Sequence, residues 1–326
     1  MAGEQEIDPR IAALENYWRT NSGLGNARVT LVGPAVPRGP DVYIIGAQKA
    51  GTTWLANQLP WHPQCWVPAI KELFYFDQVH IYPGNPWPFD RRLYTWQIFR
   101  DDPVFRPLVE NMKFWTEEYV AAMQSLYLDR DRVVDDSWYA ANFAHCGSNQ
   151  LAFDVSPSYS TLPVAAVAHM RRISPHARII FILRNPIERA WSHFRMELDE
   201  LGDYSLEAQR RTLAEKSNLF FVYSNYAQTY HNYLRCFPKE SILLLDFKRI
   251  AQEPYAVLRD IYEFLNLDCT PDLFSSLNEK TFEGKPLERN PEIVAELTKV
   301  IAPVYPACYL AFPEIARSWT PELRAR

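Results

Sequence analysis

A loop near the start of the chain has the residue types and the spacing to bind an anion. In the run DVYIIGAQKAGTTWL, Gly46 and Gly51 have the Gly-x-x-x-x-Gly spacing of a nucleotide P-loop, and Thr52 and Thr53 follow directly. Backbone amides at such a turn carry partial positive charge, and Lys49 adds a full charge. The alternative is an ordinary strand-to-helix turn with a surface lysine. A Walker A loop has its lysine directly after the second glycine, so the displaced lysine indicates a different anhydride.

A second phosphate-binding pattern lies in the run ARIIFILRNPIERAWSHF. An apolar strand ends at Arg184, Asn185 can cap the next helix, and Pro186 stands at its first position, where a missing N–H does no harm. Ser192 follows two helical turns later, on the face that carries Arg189. An arginine and a hydroxyl directed at one point suit a phosphate monoester. Alternatively, Arg184 pairs with a carboxylate and Ser192 only packs.

The run AIKELFYFD supplies a candidate general base. Lys71, Glu72 and Asp77 are the charged positions in an otherwise apolar, aromatic-rich stretch. Desolvation disfavours an ionised carboxylate and makes it a better proton acceptor near neutral pH, although the adjacent Lys71 opposes this effect. Alternatively, Glu72 forms a surface pair with a lysine or an arginine.

Alternating strand-like and helix-like runs predict how these residues are positioned. The alternation predicts an α/β fold, namely a P-loop-like, three-layer α/β/α arrangement with a central parallel sheet. Ligands bind such sheets at the carboxyl ends of the strands, where the distinctive residues fall. The predicted strands are 42–45, 151–155, 178–183 and 242–245, and the predicted helices are 52–59, 163–173, 186–198, 223–236, 254–265 and 291–302.

Residues 78–150 interrupt this alternation. The segment contains 14 aromatic residues and several prolines, and it is too long and too apolar for a simple connection. It therefore predicts a helical, aromatic-rich insertion that caps the sheet edge, either as a pocket for a second substrate or as a satellite hydrophobic core. Residues 1–40 predict a leader with one short helix at 11–18, and residues 41–326 predict a single domain.

Composition narrows the classes of partner and compartment. A net charge of −5 disfavours nucleic acid, because proteins that bind it carry a basic excess. The sequence has no signal-peptide pattern and no apolar run of membrane-spanning length, which favours a cytoplasmic protein without a membrane span. A luminal domain separated from its anchor is the alternative. Five scattered cysteines without a C-x-x-C pair favour reduced thiols and no metal site.

Together, these motifs resemble those of the sulfotransferases that use 3′-phosphoadenosine 5′-phosphosulfate. The resemblance covers roughly residues 41–310 and is carried, in family order, by QKAGTTWL, HP at 62–63, KELFYFD, ILRNPIERAWSHF, YLRCFPKESILLLDFKRI and EPYAVLRDIYEFLNL. The subgroup resembled contains the heparan sulfate sulfotransferases and many bacterial enzymes. It implies in-line transfer of a sulfuryl group to a hydroxyl or amine of a small-molecule, glycan, lipid or polyketide acceptor, without a metal.

The same resemblance implies roles for individual residues. Lys49 would act at the bridging oxygen, and Glu72 would take the acceptor proton. Arg184 and Ser192 would hold the 3′-phosphate. The loop that holds the 5′-phosphosulfate would comprise Gln48, Lys49, Ala50, Gly51, Thr52, Thr53 and Trp54. Further nucleotide contacts would come from TFEGKPLERN, which resembles the loop that closes on the nucleotide, through Lys285 and Arg289.

The run DVSPSY departs from the family pattern. Many relatives have Glu-Lys-[ST]-Pro-x-Tyr there, and Val155 replaces the lysine. Since that lysine helps position donor or acceptor in the heparan-type enzymes, the departure implies different acceptor contacts, with Asp154 or Ser156 taking part. Histidines are the alternative bases, namely His80, His145 and His193.

Two other functions fit parts of the pattern. A P-loop nucleotide kinase would share the loop, but the lysine is displaced and no acidic Walker B strand end is evident. A catalytically idle nucleotide-binding protein would fit the missing lysine at position 155. As for the acceptor, residues 78–150 carry 7 Lys+Arg against 10 Asp+Glu, which disfavours a highly sulfated polyanion. The aromatic residues favour a sugar, phenolic, lipid or polyketide-like hydroxyl.

Overall fold

The fold is given by a computed structural model, which describes residues 38–68, 70–81, 117–269 and 287–323. The predicted helix at 11–18, the candidate Lys285 and residues 82–116 of the predicted insertion lie outside these ranges. The leader and the single-domain assignment therefore stay predictions.

Five parallel strands form the centre of the molecule. They are β1 (Val42–Gly46), β2 (Cys65–Trp66), β3 (Leu151–Val155), β4 (Arg178–Leu183) and β5 (Ile242–Asp246). They pair in the order β2-β3-β1-β4-β5. Val42 lies opposite Phe153 of β3 on one side and opposite Arg178 of β4 on the other, so β1 is the central strand. Every residue of β1 is buried, as is typical of a parallel sheet covered on both faces.

Helices surround this sheet and confirm the predicted three-layer α/β/α fold. In the described residues they are α1 (Thr52–Gln58), α2 (Tyr75–His80), α3 (Glu117–Leu128), α4 (Asp136–Ala141), α5 (Val164–Ile173), α6 (Pro186–Leu201), α7 (Leu206–Ser224), α8 (Tyr226–Leu234), α9 (Phe247–Gln252), α10 (Pro254–Phe264), α11 (Pro291–Ile301), α12 (Tyr305–Ala311) and α13 (Pro313–Ala316). The four predicted strands are present within one residue of their predicted ends.

Three elements differ from the sequence prediction. The predicted helix at 223–236 is wrong in its start, because α7 ends at Ser224 and α8 begins at Tyr226, with a non-helical backbone at Asn225 between them. Helix α7 was not predicted, since charged residues are spread over most of its faces. Its N-cap is Ser205, whose hydroxyl accepts from the amide of Ala208. Strand β2 was missed because two residues carry no recognisable period.

The described part of the predicted insertion packs against the edge of the sheet. The ring of Trp66 in β2 lies 5.8 Å from that of Tyr119 in α3 and 6.4 Å from that of Phe143 after α4. Trp138 in α4 is fully buried, and its indole N–H donates to the carbonyl of Leu126. These aromatic residues thus form a hydrophobic core at the β2 edge.

The C-terminal helices include one long apolar run. Among the described residues, Pro291–Ala311 is the one helical run with the length and composition to cross a membrane, and 39% of its most apolar part is buried inside the protein. The run consists of α11, a 3-10 turn at Ala302–Val304 and α12. Buried core helices meet the same criterion, so this run is weak evidence for a membrane span.

Candidate active site

The loop after β1 joins the central strand to α1 at the carboxyl edge of the sheet. Lys49 (φ 67°) and Gly51 (φ 87°) both have left-handed backbone conformations, which turn the chain sharply. The positive φ of Gly51 favours glycine, and a Cβ there would also press against the side chains of Ile250 at 3.1 Å and Phe247 at 3.4 Å. Gly51 is the N-cap of α1, and no side chain of the described residues caps that helix end. Its first-turn amides therefore face the loop.

Arg184 follows β4 and lies against this loop. Its Nη1 donates to the backbone carbonyl of Lys49 at 2.7 Å, and its guanidinium lies 4.6 Å from the ring centroid of Phe247. The pKa of Lys49 is lowered by burial first and then by repulsion from Arg184 and Arg195. The two arginines thus repel Lys49 more strongly than Asp199 and Glu200 attract it, and an anion bound beside Lys49 would relieve that repulsion.

Helix α6 presents Ser192 and Arg195 to the same region. Ser192 is half-buried, and Arg195 lies one helical turn further along. The Nε of Arg195 is buried, and among the described residues it has no hydrogen-bond partner. A buried donor without a partner costs free energy, which a bound anion would recover. The sequence analysis did not select Arg195 as a candidate site residue.

Glu72 lies near the loop, at the carboxyl end of β3. Its backbone N–H donates to the carbonyl of Val155 at the end of β3, at 3.1 Å, and its own φ is 62°. The Nζ of Lys71 lies 2.6 Å from Oε1 of Glu72 and 3.2 Å from Oγ1 of Thr53, so those two oxygens are no more than 5.8 Å apart. The carboxylate therefore lies beside the first turn of α1. Glu72 thus pairs with Lys71, as the alternative interpretation expected, and it also lies beside α1.

Comparison with known proteins identifies the family. Residues 40–272 match the sulfotransferase family. The chain belongs to that family. It is 23% identical over 241 residues to the bifunctional heparan sulfate N-deacetylase/N-sulfotransferase 1 of Caenorhabditis elegans, covering 71% of this chain and 22% of that protein. It is 24% identical over 167 residues to the mouse heparan sulfate glucosamine 3-O-sulfotransferase 6, covering 50% of this chain and 48% of that protein.

A solved structure supports the same fold. The sulfotransferase from Alicyclobacillus acidocaldarius superposes with a TM-score of 0.53 at 23% identity, covering 83% of this chain and 94% of that one. The chain spans less than half the length of the two heparan sulfate relatives. The family match over residues 40–272 identifies the chain as a sulfotransferase. The donor contacts and the acceptor have to be inferred from the residues of this chain.

In this sulfotransferase the remaining loop residues differ in exposure. Thr52 is 4% exposed and Trp54 is 7% exposed, and Trp54 packs in the hydrophobic core. Ala50 is fully buried. Gln48 is half-buried, and its Oε1 has no hydrogen-bond partner among the described residues. The loop thus combines backbone and hydroxyl groups with side chains that anchor it to the core.

The candidate acceptor contact Asp154 is held inside the protein by hydrogen bonds. Asp154 is fully buried, and its carboxylate accepts hydrogen bonds from Tyr139 and Ser156, each at 2.6 Å. Burial raises the pKa of Asp154 to about 6, and the bonds from these hydroxyls oppose the rise. The side chain of Val155 is 2% exposed and points into the core. Asp154 therefore organises buried hydroxyls at this strand end.

His193 is held in its neutral form by its surroundings. Burial lowers its pKa to about 2, helped by repulsion from Arg189 and Lys49. Its Nδ1 accepts from Nη1 of Arg189 at 3.1 Å, and its Nε2 lies 3.3 Å from a carboxylate oxygen of Glu197. Arg189 is itself fully buried and donates to the hydroxyl of Ser224. Both histidine nitrogens are occupied, so this side chain has a structural role.

The other two candidate histidines, His80 and His145, belong to the predicted insertion. Nε2 of His169 meets Oδ1 of Asp136 at 2.6 Å, so that nitrogen carries the proton and Nδ1 accepts from Nε2 of His80 at 3.0 Å. The exposed His145 contacts the ring of Tyr119 at 5.2 Å. Among the described residues, no group of three histidine, cysteine or carboxylate side chains could hold a metal ion.

Proposed function

We propose that this sulfotransferase transfers a sulfuryl group from 3′-phosphoadenosine 5′-phosphosulfate to a hydroxyl or amine. The observation that carries the proposal is the set of cations Lys49, Arg184 and Arg195 around the loop after β1, together with Glu72 beside the first turn of α1. The orphaned Nε of Arg195 and the repulsion felt by Lys49 both fit a ligand that carries several negative charges. A nucleotide with a 3′-phosphate and a 5′-phosphosulfate is such a ligand.

Each residue has a distinct task in this proposal. Lys49 stabilises the charge that develops on the bridging oxygen as the sulfuryl group leaves, and the first-turn amides of α1 support it. Arg184 and Ser192 hold the 3′-phosphate. Glu72 takes the proton from the acceptor, because it is 34% exposed and can be reached from solvent. Groups of this kind typically contribute about 10²-fold or more to turnover.

For the acceptor we propose an uncharged or weakly charged small molecule or glycan with a hydroxyl on an apolar body. The acidic balance of residues 78–150 and their aromatic residues support this choice over a highly sulfated polyanion. The heparan sulfate named for the two relatives is the alternative glycan. The cytoplasm, favoured by the sequence, is the proposed location, and cell fractionation tests it.

Nucleotide binding tests the donor. Calorimetry should show that adenosine 3′,5′-bisphosphate binds and that ATP binds far more weakly. Lys49→Met should weaken binding, whereas Lys299→Met, which changes a 71% exposed lysine on α11, should not. Preference for ATP would overturn the proposal in favour of a nucleotide kinase.

A labelled-donor screen then tests the acceptor and the base. Sugars, phenols, lipid alcohols and heparan fragments are offered with radiolabelled donor, and Glu72→Gln should lose about 10²-fold or more of the transfer. Nucleotide binding without transfer to any acceptor would support a catalytically idle protein. Transfer that survives Glu72→Gln would contradict the assignment of the base.

A further inference from the structure

Arg289 is paired with a carboxylate on the helix that carries Ser192. Its Nη2 lies 2.9 Å from Oε2 of Glu188 and its Nη1 lies 3.3 Å from Oε1, so the pair is bidentate. Its guanidinium also lies 5.5 Å from the ring centroid of Trp191. The side chains of Arg289 and Glu188 are 14% and 22% exposed, so the pair is mostly shielded from water. Water and salt therefore screen this pair less than an ordinary surface salt bridge.

The position of this pair on α6 relates it to the nucleotide site. Glu188 and Ser192 are four residues apart and share a face of the helix, with Cβ atoms about 6 Å apart. Trp191, whose ring Arg289 also contacts, lies three residues after Glu188 on the same side of the helix. Arg289 is therefore bound to the helix that carries Ser192, through the residue four positions before it. A carboxylate close to a bound phosphate dianion would oppose its binding.

We propose that Glu188 limits nucleotide affinity by competing with the 3′-phosphate for Arg289. This inference rests on the proposed function. When the nucleotide binds, Arg289 exchanges the carboxylate of Glu188 for the phosphate, and when the nucleotide leaves, Glu188 takes the guanidinium back. The cost of breaking the pair is subtracted from the binding energy. Glu188 thereby speeds release of the 3′,5′-bisphosphate product, a step that limits turnover in many enzymes.

A purely structural role for the pair makes a different prediction. Arg289 precedes α11 and Glu188 belongs to α6, so the pair could serve only to join those two helices. Its loss would then lower thermal stability and leave nucleotide affinity unchanged. The chain offers a matched control in Arg210 and Glu292, a second bidentate pair with contacts of 2.8 and 2.6 Å, which joins α7 to α11.

Calorimetry with two nucleotides separates these roles. Glu188→Gln should bind adenosine 3′,5′-bisphosphate about tenfold more tightly than the wild type, with slower dissociation in stopped-flow measurements, which corresponds to loss of one competing charge pair. Its affinity for adenosine 5′-monophosphate, which lacks the 3′-phosphate, should not change. Glu292→Gln should leave both affinities unchanged.

The outcomes distinguish failure of this inference from failure of the proposed function. Unchanged or weaker binding of the bisphosphate by Glu188→Gln would overturn the competition. An equal gain from Glu188→Gln in the wild-type and Arg289→Gln backgrounds would overturn the exchange, since simple repulsion would then account for the gain. Wild-type protein that binds ATP in preference to the bisphosphate would overturn the proposed function itself.

Discussion

The buried carboxylate of Asp154 gives a prediction that needs neither donor nor acceptor. Its pKa is about 6 in the folded protein against 3.8 for the ordinary group. A raised carboxyl pKa stabilises the folded state fully below the unfolded pKa, and this contribution is lost as the pH rises through the folded pKa. The shift of about two units corresponds to about 3 kcal/mol, most of it lost between pH 4 and pH 7. Because Asp154 is fully buried, solvent does not screen this effect.

Asp154→Asn isolates that contribution, because asparagine does not titrate. The free energy of unfolding of both proteins is measured by urea denaturation at half-unit steps from pH 4 to pH 8. The asparagine amide can still meet Tyr139 and Ser156, whose hydroxyls donate or accept, so any loss of packing is independent of pH. We expect the wild type to lose about 2 to 3 kcal/mol relative to the variant across this range. A difference that stays flat with pH would refute the reasoning.

Three further predictions concern the site. Arg195→Met should weaken adenosine 3′,5′-bisphosphate binding about tenfold in calorimetry, because it removes a charge-assisted donor; wild-type affinity would exclude Arg195 from the site. Lys71→Met should lower turnover about tenfold in steady-state kinetics and leave nucleotide affinity unchanged, because it releases Glu72 from the loop. In a Glu72→Gln background the same substitution should cause no further loss of turnover. Gly51→Ala should cost about 1 to 3 kcal/mol in urea denaturation through its left-handed backbone; unchanged stability would contradict the geometry.

The sequence could predict those parts of the fold that carry a local pattern. The strands at 151–155 and 178–183 are apolar except for one charged residue each, and the structure has them at those residues. The helix that starts at Pro186 was evident because Asn185 caps it, and the Asn185 side chain does accept from the amide of Ile187 at 3.1 Å. Such signals depend only on neighbours in the chain.

The parts that were missed depend on contacts distant in sequence. The hydrogen bond from Lys71 to Thr53 joins residues 18 positions apart. It lies next to the left-handed backbone at Glu72, a conformation that the sequence does not indicate because the residue is not glycine. Arg195 enters the proposed site only because α6 brings its charge near enough to lower the pKa of Lys49. Arg189, on the same helix, is instead fully buried against α7, an element that the sequence pattern did not reveal.

The valine at position 155 is the one departure from the family pattern that bears on catalysis, and the structure changes its meaning. Position 155 positions Glu72 through its backbone carbonyl, which accepts the amide of Glu72 at 3.1 Å and does not depend on the side chain. The side chain itself is buried, so a lysine there would have to leave the core to reach a ligand. Lys71 already supplies a cation next to both Glu72 and Thr53. The loss of the lysine therefore removes no contact that holds Glu72, the proposed base, and so does not by itself support a catalytically idle protein.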